Sequence, residues 1–434
     1  MHRHLLDPRP GWERIVTEQG LIFPITTRPD GTTVPYWNET AWYEFSLTEV
    51  LLLESATEEL WAMCLDAAGY LAATSTDARL GLPAGSLELI RESIRRGDQS
   101  VYARFDLAPN GTDLATGTPA RMLEINGDTP TGLVETGVAQ WRWIEDILPG
   151  TDQWNSVHDR LVQRWRDLAE SGALDGDLVH FLHLDPDLAA DDGELEMTIH
   201  YMLDCAVQAG LRAVVQPIDQ VGWNRDREVF VDRTGREIRN AFKLYPWELM
   251  LGERFGRMLL DRAETRPVNW FEPAWKALLS TKAILPVLWE RNPDHPLLLP
   301  AFFDSPRELT EWVAKPLHGR EGDNVRVHRA GAPDVEMPGD YGAEGWVYQA
   351  YTSLPTFDGN HVVLGSWIVD GEAAGMLVRE SDGPVTDYFS RVVPHAISDA
   401  AAPDAEQARE WRTERTGQPR VPVLPGLTAD RSAS

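Results

Sequence analysis

The sequence predicts an α+β protein on three observations. Segments with helical periodicity fill about the first hundred residues, a strand–helix–strand run occupies the middle of the chain, and short strands separated by turns fill its last third. Of the 434 residues, 43% are hydrophobic and 25% charged, a composition that excludes collagenous, low-complexity and wholly disordered proteins. This length is sufficient for several packed subdomains.

Helical periodicity dominates the N-terminal region. Between Ser46 and Ala72, apolar residues recur at three- and four-residue spacing, which predicts a long helix. The segment 85–97 repeats this spacing, and we expect Ser86 to cap the start of its helix and Gly97 to end it. Two strands follow, at 101–108 and 121–126, and the Gly- and Thr-rich loop between them predicts a β-hairpin.

Charged residues occupy matched positions on this hairpin. Arg104 and Asp106 lie two residues apart on the first strand, and Glu124 and Asn126 lie two apart on the second, so each pair shares a face. Two carboxylates and an amide oxygen form the hard donor set that magnesium prefers, and an arginine binds phosphate as a planar fork. A salt-bridged hairpin explains the same spacing, so both interpretations stay open.

The turn GDTPTG leads from the hairpin into two predicted helices, at 133–148 and 154–172. Its hydroxyl residues, Thr129 and Thr131, either cap the first of these helices or contact a ligand.

The middle of the chain then runs as a strand at 177–184, a helix from Glu194 to Gly210 and a strand at 211–218. This order is typical of a βαβ unit in an α/β layer.

Short strands and turns make up the region beyond residue 265. The predicted strands are 312–317, 324–328, 346–351, 361–369 and 371–380. The turns DGN and DGE separate the last three, which predicts that these three form one antiparallel sheet. From about Ala396 the chain is rich in Ala, Pro and Arg without hydrophobic periodicity, which predicts a mobile tail over 397–434.

A lysine and a glycine-bounded loop lie between two of these strands. Lys315 ends the first strand, and the loop Gly319–Gly322 follows it. Glycines let backbone amides approach an anion, and a lysine meets phosphate as a point charge. No GxxxxGK[ST] segment occurs, so this is not a Walker loop. Taken alone, Lys282 beside an apolar run is most typical of a snorkelling surface lysine. Arg379, at the end of a late strand and next to Glu380, is typical of a surface ion pair.

The overall charge and the cysteine content exclude several classes of protein. The net charge is −28, and a surface this acidic repels a phosphate backbone and attracts metals and amines, so we expect no nucleic-acid partner. Cys64 and Cys205 lie in apolar helix-like stretches, which predicts buried thiols in a reducing cytoplasm. The chain shows neither an apolar leader segment nor a long apolar run, so we expect no secretion signal and no membrane span.

Several segments together resemble the glutathionylspermidine synthetase family. The segments are RFD, LEINGDTPTGLVE, FEPAWKALLSTKAILPVLWE, KPLHGREGDNV and GSWIVDGEAAGMLVRE, and their order and spacing match as well. The resemblance covers residues 12–396 and implies an ATP-grasp fold. Within it, residues of about 12–150 would form a helical region with the hairpin, about 175–260 a pre-ATP-grasp α/β subdomain, and about 265–396 the ATP-grasp subdomains.

The resemblance also implies a role for each candidate residue. It implies a magnesium site at Asp106, Glu124 and Asn126, and reacting-phosphoryl contacts from Arg104 and Arg379. It implies an ATP site made by Arg104, Lys282, Lys315, Gly319, Arg320, Glu321, Gly322 and Gln349. It implies an acid site at Thr129 and Thr131, and an amine site at Glu194 and Glu196.

Family members join a carboxylate to an amine, and this chemistry demands such residues. A carboxylate becomes an acyl donor only after phosphorylation by ATP, and cations must neutralise the two anions that meet. We therefore expect an ATP- and Mg²⁺-dependent ligase with a small-molecule acid and amine as substrates, and no amidase activity, because the chain lacks a suitable Cys/His block. A nucleotide-binding homologue without catalysis and a carbohydrate hydrolase stay as alternatives. The identity of the acid, the identity of the amine and the oligomeric state stay open.

Overall fold

The computed structural model describes residues 1–115, 117–184, 193–265 and 267–398. Its α-helices are Trp12–Glu18, Leu47–Thr74, Ser86–Arg96, Gln140–Ile147, Val157–Glu170, Glu194–Gln208, Trp247–Gly252, Arg254–Leu260, Ala277–Ser280 and Ile284–Arg291. Helices and sheets are mixed along the chain, which confirms the α+β class. The predicted tail lies almost entirely outside the described residues.

The two predicted N-terminal helices are present, but one cap differs from the prediction. Ser46 caps Leu47–Thr74 through a capping box, in which its side chain accepts from the Glu49 N–H. The prediction that Ser86 caps the next helix is wrong, because Gly85 occupies that position and Ser86 lies inside the helix. The Asp77 carboxylate accepts from the N–H groups of both Gly85 and Leu87 instead, at 2.8 and 2.7 Å.

A six-stranded antiparallel sheet, here called the central sheet, contains the predicted hairpin. In order, its strands are Arg391–Val393, Glu372–Ser381, Asn360–Val369, Tyr102–Pro109 and Ala120–Asn126, with Thr356–Phe357 paired to Asn360–Val369. In the hairpin register Arg104 lies opposite Asn126, and Asp106 lies opposite Glu124. A register shift directly after Asp106 interrupts the pairing.

The predicted βαβ unit is confirmed and belongs to a four-stranded parallel sheet. Its strands, in order, are Asn269–Phe271, Asn240–Leu244, Leu178–His183 and Arg212–Pro217. The helix Glu194–Gln208 connects the last two, which pair in parallel. These strands are rich in buried apolar residues, as expected for a sheet covered on both faces.

A five-stranded antiparallel sheet, here called the late sheet, contains one strand that the sequence analysis placed elsewhere. Its strands, in order, are Ala301–Phe303, Trp346–Ala350, Trp312–Pro316, Arg326–His328 and Val335–Glu336. The predicted three-stranded sheet at 346–380 is therefore wrong, because Trp346–Ala350 pairs here and only the other two strands pair in the central sheet. The turn DGN joins Asn360–Val369 to the short strand Thr356–Phe357, which the sequence pattern did not reveal.

Smaller sheets and three apolar clusters complete the fold. The remaining strands are His2–Leu5, Ala41–Phe45 and His395–Ile397 in one sheet, with the pairs Ile25–Thr27/Thr33–Pro35 and Gly222–Asn224/Val229–Val231. One cluster packs around Leu47–Thr74, and a second packs around the parallel sheet and Val157–Glu170. The third is small and consists of Ala108, Leu354 and Val363. Both cysteines are free and buried, as predicted. Among the described residues, no helix is both long and apolar enough to cross a membrane.

Candidate active site

Most of the predicted site residues line one cleft between the central sheet and the late sheet. Its empty space is about 810 Å³, including the part open to solvent. The predicted residues that line it are Asp106, Glu124, Lys282, Lys315, Gly319, Arg320, Glu321, Gly322 and Gln349. The early hairpin and the late loop therefore face each other across a common space.

Two arginines hold one carboxylate on the hairpin wall of the cleft. Arg104 Nε donates to Asp106 Oδ1 at 3.0 Å, and Arg379 Nη2 donates to Asp106 Oδ2 at 2.6 Å. Burial alone would raise the pKa of Asp106, but the two guanidinium groups outweigh it and keep that pKa below its usual value. Asp106 is therefore ionised at neutral pH, between the two guanidinium groups.

The path of the Arg104 side chain depends on a glycine in the next strand. Gly365 lies opposite Asp106 in the register, and a Cβ there would lie only 3.1 Å from Arg104 Cδ. The Arg104 guanidinium carbon lies 5.7 Å from the centroid of the Trp367 ring. Its Nη1 donates to the Thr131 main-chain oxygen at 2.5 Å, which ties the strand to the following turn.

Further oxygen-bearing side chains, Glu124 and Asn126, lie at the same end of the hairpin. Asn126 Nδ2 donates to Asp106 Oδ2 at 3.3 Å, and Glu124 lies opposite Asp106, with Lys282 Nζ at 3.6 Å from its Oε2. Within the described ranges, no group of three or more Asp, Glu, His or Cys side chains could hold a metal ion. Two carboxylates and an amide fit magnesium bound to phosphates, because Mg²⁺ takes few protein ligands when a nucleotide supplies the others.

Two lysines and a glutamine reach the hairpin from the other side. Lys315 Nζ donates to the Leu123 main-chain oxygen at 2.8 Å, and Lys282 Nζ donates to that of Gly319 at 3.1 Å. Gln349 Nε2 donates to the Met122 main-chain oxygen at 3.1 Å. Burial, reinforced by neighbouring Lys282, lowers the pKa of Lys315 to about 8, although nearby carboxylates oppose the shift.

Lysine is rare in this chain. The sequence contains only four lysines, against 36 arginines. Lys243 and Lys276 are 0% exposed and Lys315 is 7% exposed, while the Lys282 side chain is 11% exposed. Every lysine is therefore buried or nearly so, and two of the four line the cleft.

The loop Gly319–Gly322 packs closely against a segment after the last long strand of the central sheet. Gly322 has φ +76°, and a Cβ there would lie 2.8 Å from Val385 Cγ1 and 2.9 Å from the Thr386 oxygen. Only glycine fits both this conformation and this contact. The close packing holds one end of the loop at the edge of the cleft.

A second group of polar residues lies around the turn after the hairpin. Glu194 begins the helix Glu194–Gln208, and the Thr131 side chain is hydrogen-bonded to it. Removal from water, with Glu321 and Glu135 nearby, raises the pKa of Glu194 to about 8. Thr129 lies partly exposed in the same turn.

The structure separates the two predicted amine-site glutamates. Glu196 lies 3.8 Å from His200 one turn along its helix, and its side chain is 46% exposed. Because residues two apart on a helix point in different directions, only Glu194 lies beside Thr131.

Comparison with known proteins shows the family. The model of the family described as "Glutathionylspermidine synthase preATP-grasp" matches residues 3–398. The chain belongs to the glutathionylspermidine synthase family. A Haemophilus influenzae protein named "Putative acid--amine ligase" is 37% identical over 372 residues, which cover 83% of this chain and 90% of that protein.

Two further relatives are longer than this chain. Trypanothione synthetase of Crithidia fasciculata is 28% identical over 69% of this chain and 48% of its own length. The Escherichia coli bifunctional glutathionylspermidine synthetase/amidase is 25% identical over 69% of this chain and 50% of its own length. The chain thus spans about half the length of these two relatives.

A solved structure supports the fold of this family member. A glutathione synthetase-like effector from Globodera pallida aligns with a TM-score of 0.51 and 11% identity, over 91% of this chain and 100% of that one. The family and the names of its members assign the chain to the ATP-dependent ligases that form C–N bonds.

Sequence reasoning missed two buried ion pairs and one partly buried hydrogen bond near the site of this ligase. Lys243 pairs with Asp128, Lys276 pairs with Glu272, and the Tyr36 hydroxyl donates to Glu135 at 2.7 Å. Glu272 and Lys276 both bond to the start of the hairpin, at Ser100 and Tyr102. The lysines were the one available signal, because a charged side chain inside an apolar segment is expensive to bury without a partner.

Proposed function

We propose that this family member is an ATP- and Mg²⁺-dependent carboxylate–amine ligase that forms an amide through an acyl phosphate. One observation carries the proposal. Asp106, which Arg104 and Arg379 hold on the central sheet, lines one cleft together with the lysines Lys282 and Lys315. A triphosphate bound in this cleft would meet positive charge from the two lysines and from the two arginines beside Asp106.

In this proposal the late sheet and its loop bind the nucleotide. Lys282 and Lys315 neutralise phosphate charge, and the loop Gly319–Gly322, including Arg320 and Glu321, covers the phosphates. Gln349 lies on the strand beside the cleft, where its side chain is 2% exposed, and it contributes to the adenine end. Closure of the loop excludes water, which would otherwise hydrolyse the acyl phosphate.

Asp106, Glu124 and Asn126 are the residues that would hold magnesium on the phosphates. The ion supplies charge neutralisation at the phosphate oxygens when it is bound. Supporting this assignment, Asp106 is ionised and directly faces Glu124 in the hairpin register.

The reaction proceeds in two transfers. A substrate carboxylate oxygen attacks the γ-phosphorus, the bond to the bridging oxygen breaks, and ADP leaves. The amine nitrogen then attacks the acyl carbon, phosphate leaves and an amide forms. Arg104 and Arg379 neutralise the charge that builds up on the transferred phosphoryl group.

The two organic substrates would meet beside the turn after the hairpin. We assign Thr129 and Thr131 to the acid and Glu194, with the more exposed Glu196 further along the helix, to the amine. An alkyl ammonium has a pKa near 10, so it must lose a proton before attack. Glu194, whose pKa is raised to about 8, is suited to accept that proton near neutral pH.

The assignment extends to the organisation of the chain. Residues of about 265–396 would form the ATP-grasp subdomains, those of about 175–260 the pre-ATP-grasp subdomain, and those of about 12–150 the helical region with the hairpin. The parallel sheet lies within 175–260, except for its strand Asn269–Phe271. The late sheet lies within 265–396.

A mixed-substrate assay tests the function. Purified protein is incubated with Mg-ATP and a library of acids and amines, and ADP release and new amide masses are measured. We expect ADP release that requires both an acid and an amine, and its loss in Lys282→Ala. Nucleotide binding without turnover on any pair would favour the non-catalytic alternative. Glycoside hydrolysis that is independent of ATP and persists in Lys282→Ala would favour the hydrolase.

A further inference from the structure

A buried ion pair lies directly behind the turn that follows the hairpin. Lys243 Nζ donates to Asp128 Oδ1 at 2.6 Å, and the Trp247 main-chain N–H donates to Asp128 Oδ2 at 3.0 Å. Both charged side chains are 0% exposed, so neither can touch a substrate in the cleft. The Lys243 ammonium also lies 4.7 Å from the Trp247 ring centroid.

The pair connects two sheets that are otherwise built separately. Asp128 comes two residues after the central-sheet strand Ala120–Asn126, and Lys243 lies within the parallel-sheet strand Asn240–Leu244. The contact therefore fixes the position of the end of one sheet relative to the middle of the other.

The turn is held on both sides of this contact. A Cβ at Gly127 would lie 2.3 Å from Leu279 Cβ, so the backbone there is packed directly against a neighbouring helix. At the other end, the Thr131 main-chain oxygen accepts from Arg104. Asp128 lies between these points, and its hydrogen bonds hold the middle of the turn in place.

Stability alone does not account for an ion pair at this place. Taking two charges out of water costs free energy that their attraction returns only in part, and a well-packed apolar pair is often as stable. An ion pair adds direction, because the ammonium and the Trp247 N–H together allow one orientation of the carboxylate.

We infer that Asp128 and Lys243 are positioning residues for the ligase reaction. Through the turn they hold Asn126 and Thr131 in fixed positions relative to Arg104. The inference rests on the proposed function, in which Asn126 faces the magnesium ion and Thr131 faces the acid.

The test replaces the pair by apolar residues of similar size, Asp128→Leu with Lys243→Met. We expect the variant to fold with a somewhat lower denaturation midpoint, because no charge is left unpaired and only the Trp247 main-chain N–H loses its acceptor. The kcat for ADP release should fall by about 100-fold while the KM for ATP changes by less than about 2-fold, since misplacement of about 1 Å has effects of this size. A kcat within about 2-fold of the wild type would overturn the inference.

A second buried pair provides the control. Arg9 Nε donates to Glu39 Oε2 at 3.0 Å, and the two side chains are 6% and 0% exposed, outside the cleft. Arg9→Met with Glu39→Leu should leave kcat unchanged. If the first double variant does not fold, Lys243→Arg retains the charge and changes the geometry. The kcat of this variant should fall without a change in its KM for ATP. An unchanged kcat would again overturn the inference.

A separate measurement distinguishes this inference from the proposed function. If the wild type releases no ADP with any acid and amine, the proposed function fails. The Mg²⁺ concentration for half-maximal ATP binding then tests the positioning role, since it reports on Asn126 without turnover. We expect it to rise by about 10-fold in the apolar double variant, and an unchanged value would refute the role.

Discussion

Lys315 Nζ donates to the main-chain oxygen of Leu123 at 2.8 Å, across the boundary between the late sheet and the central sheet. Leu123 directly precedes Glu124, which we assign to magnesium. The lysine that would neutralise phosphate is thus bonded to the strand that would hold the metal. The position of the late sheet and the position of the hairpin are therefore coupled at the floor of the cleft.

Removal of the Lys315 ammonium should weaken nucleotide binding. A charged hydrogen bond contributes about 1.5–3 kcal/mol, so the Kd for Mg-ATP in Lys315→Met should rise by about 10- to 100-fold, as measured by titration calorimetry. Arg239→Met is the matched control, because Arg239 is about half exposed and pairs with Asp175 and Glu237 on the surface. Equal affinities in the two variants would contradict the assignment of Lys315.

The same lysine should give ATP binding a pH dependence. The pKa of Lys315 is lowered to about 8 in the folded protein, against 10.5 for an ordinary lysine. The affinity for ATP should therefore fall as pH rises through about 8, because the ammonium is lost. This dependence should be absent in Lys315→Met, and its persistence there would assign it to another group.

Folding stability should change in the opposite direction over the same range. Between pH 8 and 10.5 the unfolded chain holds a proton that folded Lys315 has released, so the contribution of Lys315 to stability rises with pH. Denaturant unfolding of the wild type and Lys315→Met across this range measures the difference. If the free energy of unfolding of the wild type fell relative to that of Lys315→Met as pH rises, the predicted direction would be wrong.

Neutralising Glu124 should raise the magnesium requirement. Its carboxylate faces Asp106 across the hairpin, and Lys282 lies 3.6 Å away. In Glu124→Gln, the Mg²⁺ concentration for half-maximal ADP release should increase by about 10-fold, because one anionic ligand is lost. Glu336→Gln, on the edge strand of the late sheet, is the control and should show no increase. Chelation of Mg²⁺ should abolish ADP release in both variants.

A methyl group at Gly365 should displace Arg104. The added Cβ would lie 3.1 Å from Arg104 Cδ and 3.3 Å from Leu377 Cβ, which is closer than normal packing allows. We expect Gly365→Ala to lower kcat by at least about 10-fold, through movement of the guanidinium, and to destabilise the fold by about 1–3 kcal/mol. Gly383→Ala, where a Cβ would meet nothing within 4 Å, should retain wild-type kcat.

The local patterns in the sequence predicted much of the fold. The hairpin, the βαβ unit and the long helix after Ser46 follow from periodicity and capping, which act between near neighbours. Sheet membership was not predictable in the same way. The strand Trp346–Ala350 joins the late sheet rather than the strands that follow it, because pairing partners are chosen by tertiary packing.

The candidate site was predicted by resemblance more than by pattern. The two-residue spacing predicted that Arg104 and Asp106 share one face of their strand. No local sequence pattern indicates that Lys282 and Lys315 lie in the same cleft as Asp106. The buried partners Asp128 and Lys243 were missed because an ion pair between distant segments leaves no periodic trace. The resemblance grouped Glu196 with Glu194, and helical geometry directs the two side chains differently.

The restriction of lysine to enclosed positions has a practical consequence. Reagents that acylate primary amines usually modify many sites on a protein surface, but here the other cations are arginines and the four lysines are almost fully covered. Among the lysines, such a reagent should reach Lys282 and Lys315 first, and saturating ATP should protect them. Stoichiometric labelling could thus report nucleotide occupancy directly, without a known acid or amine.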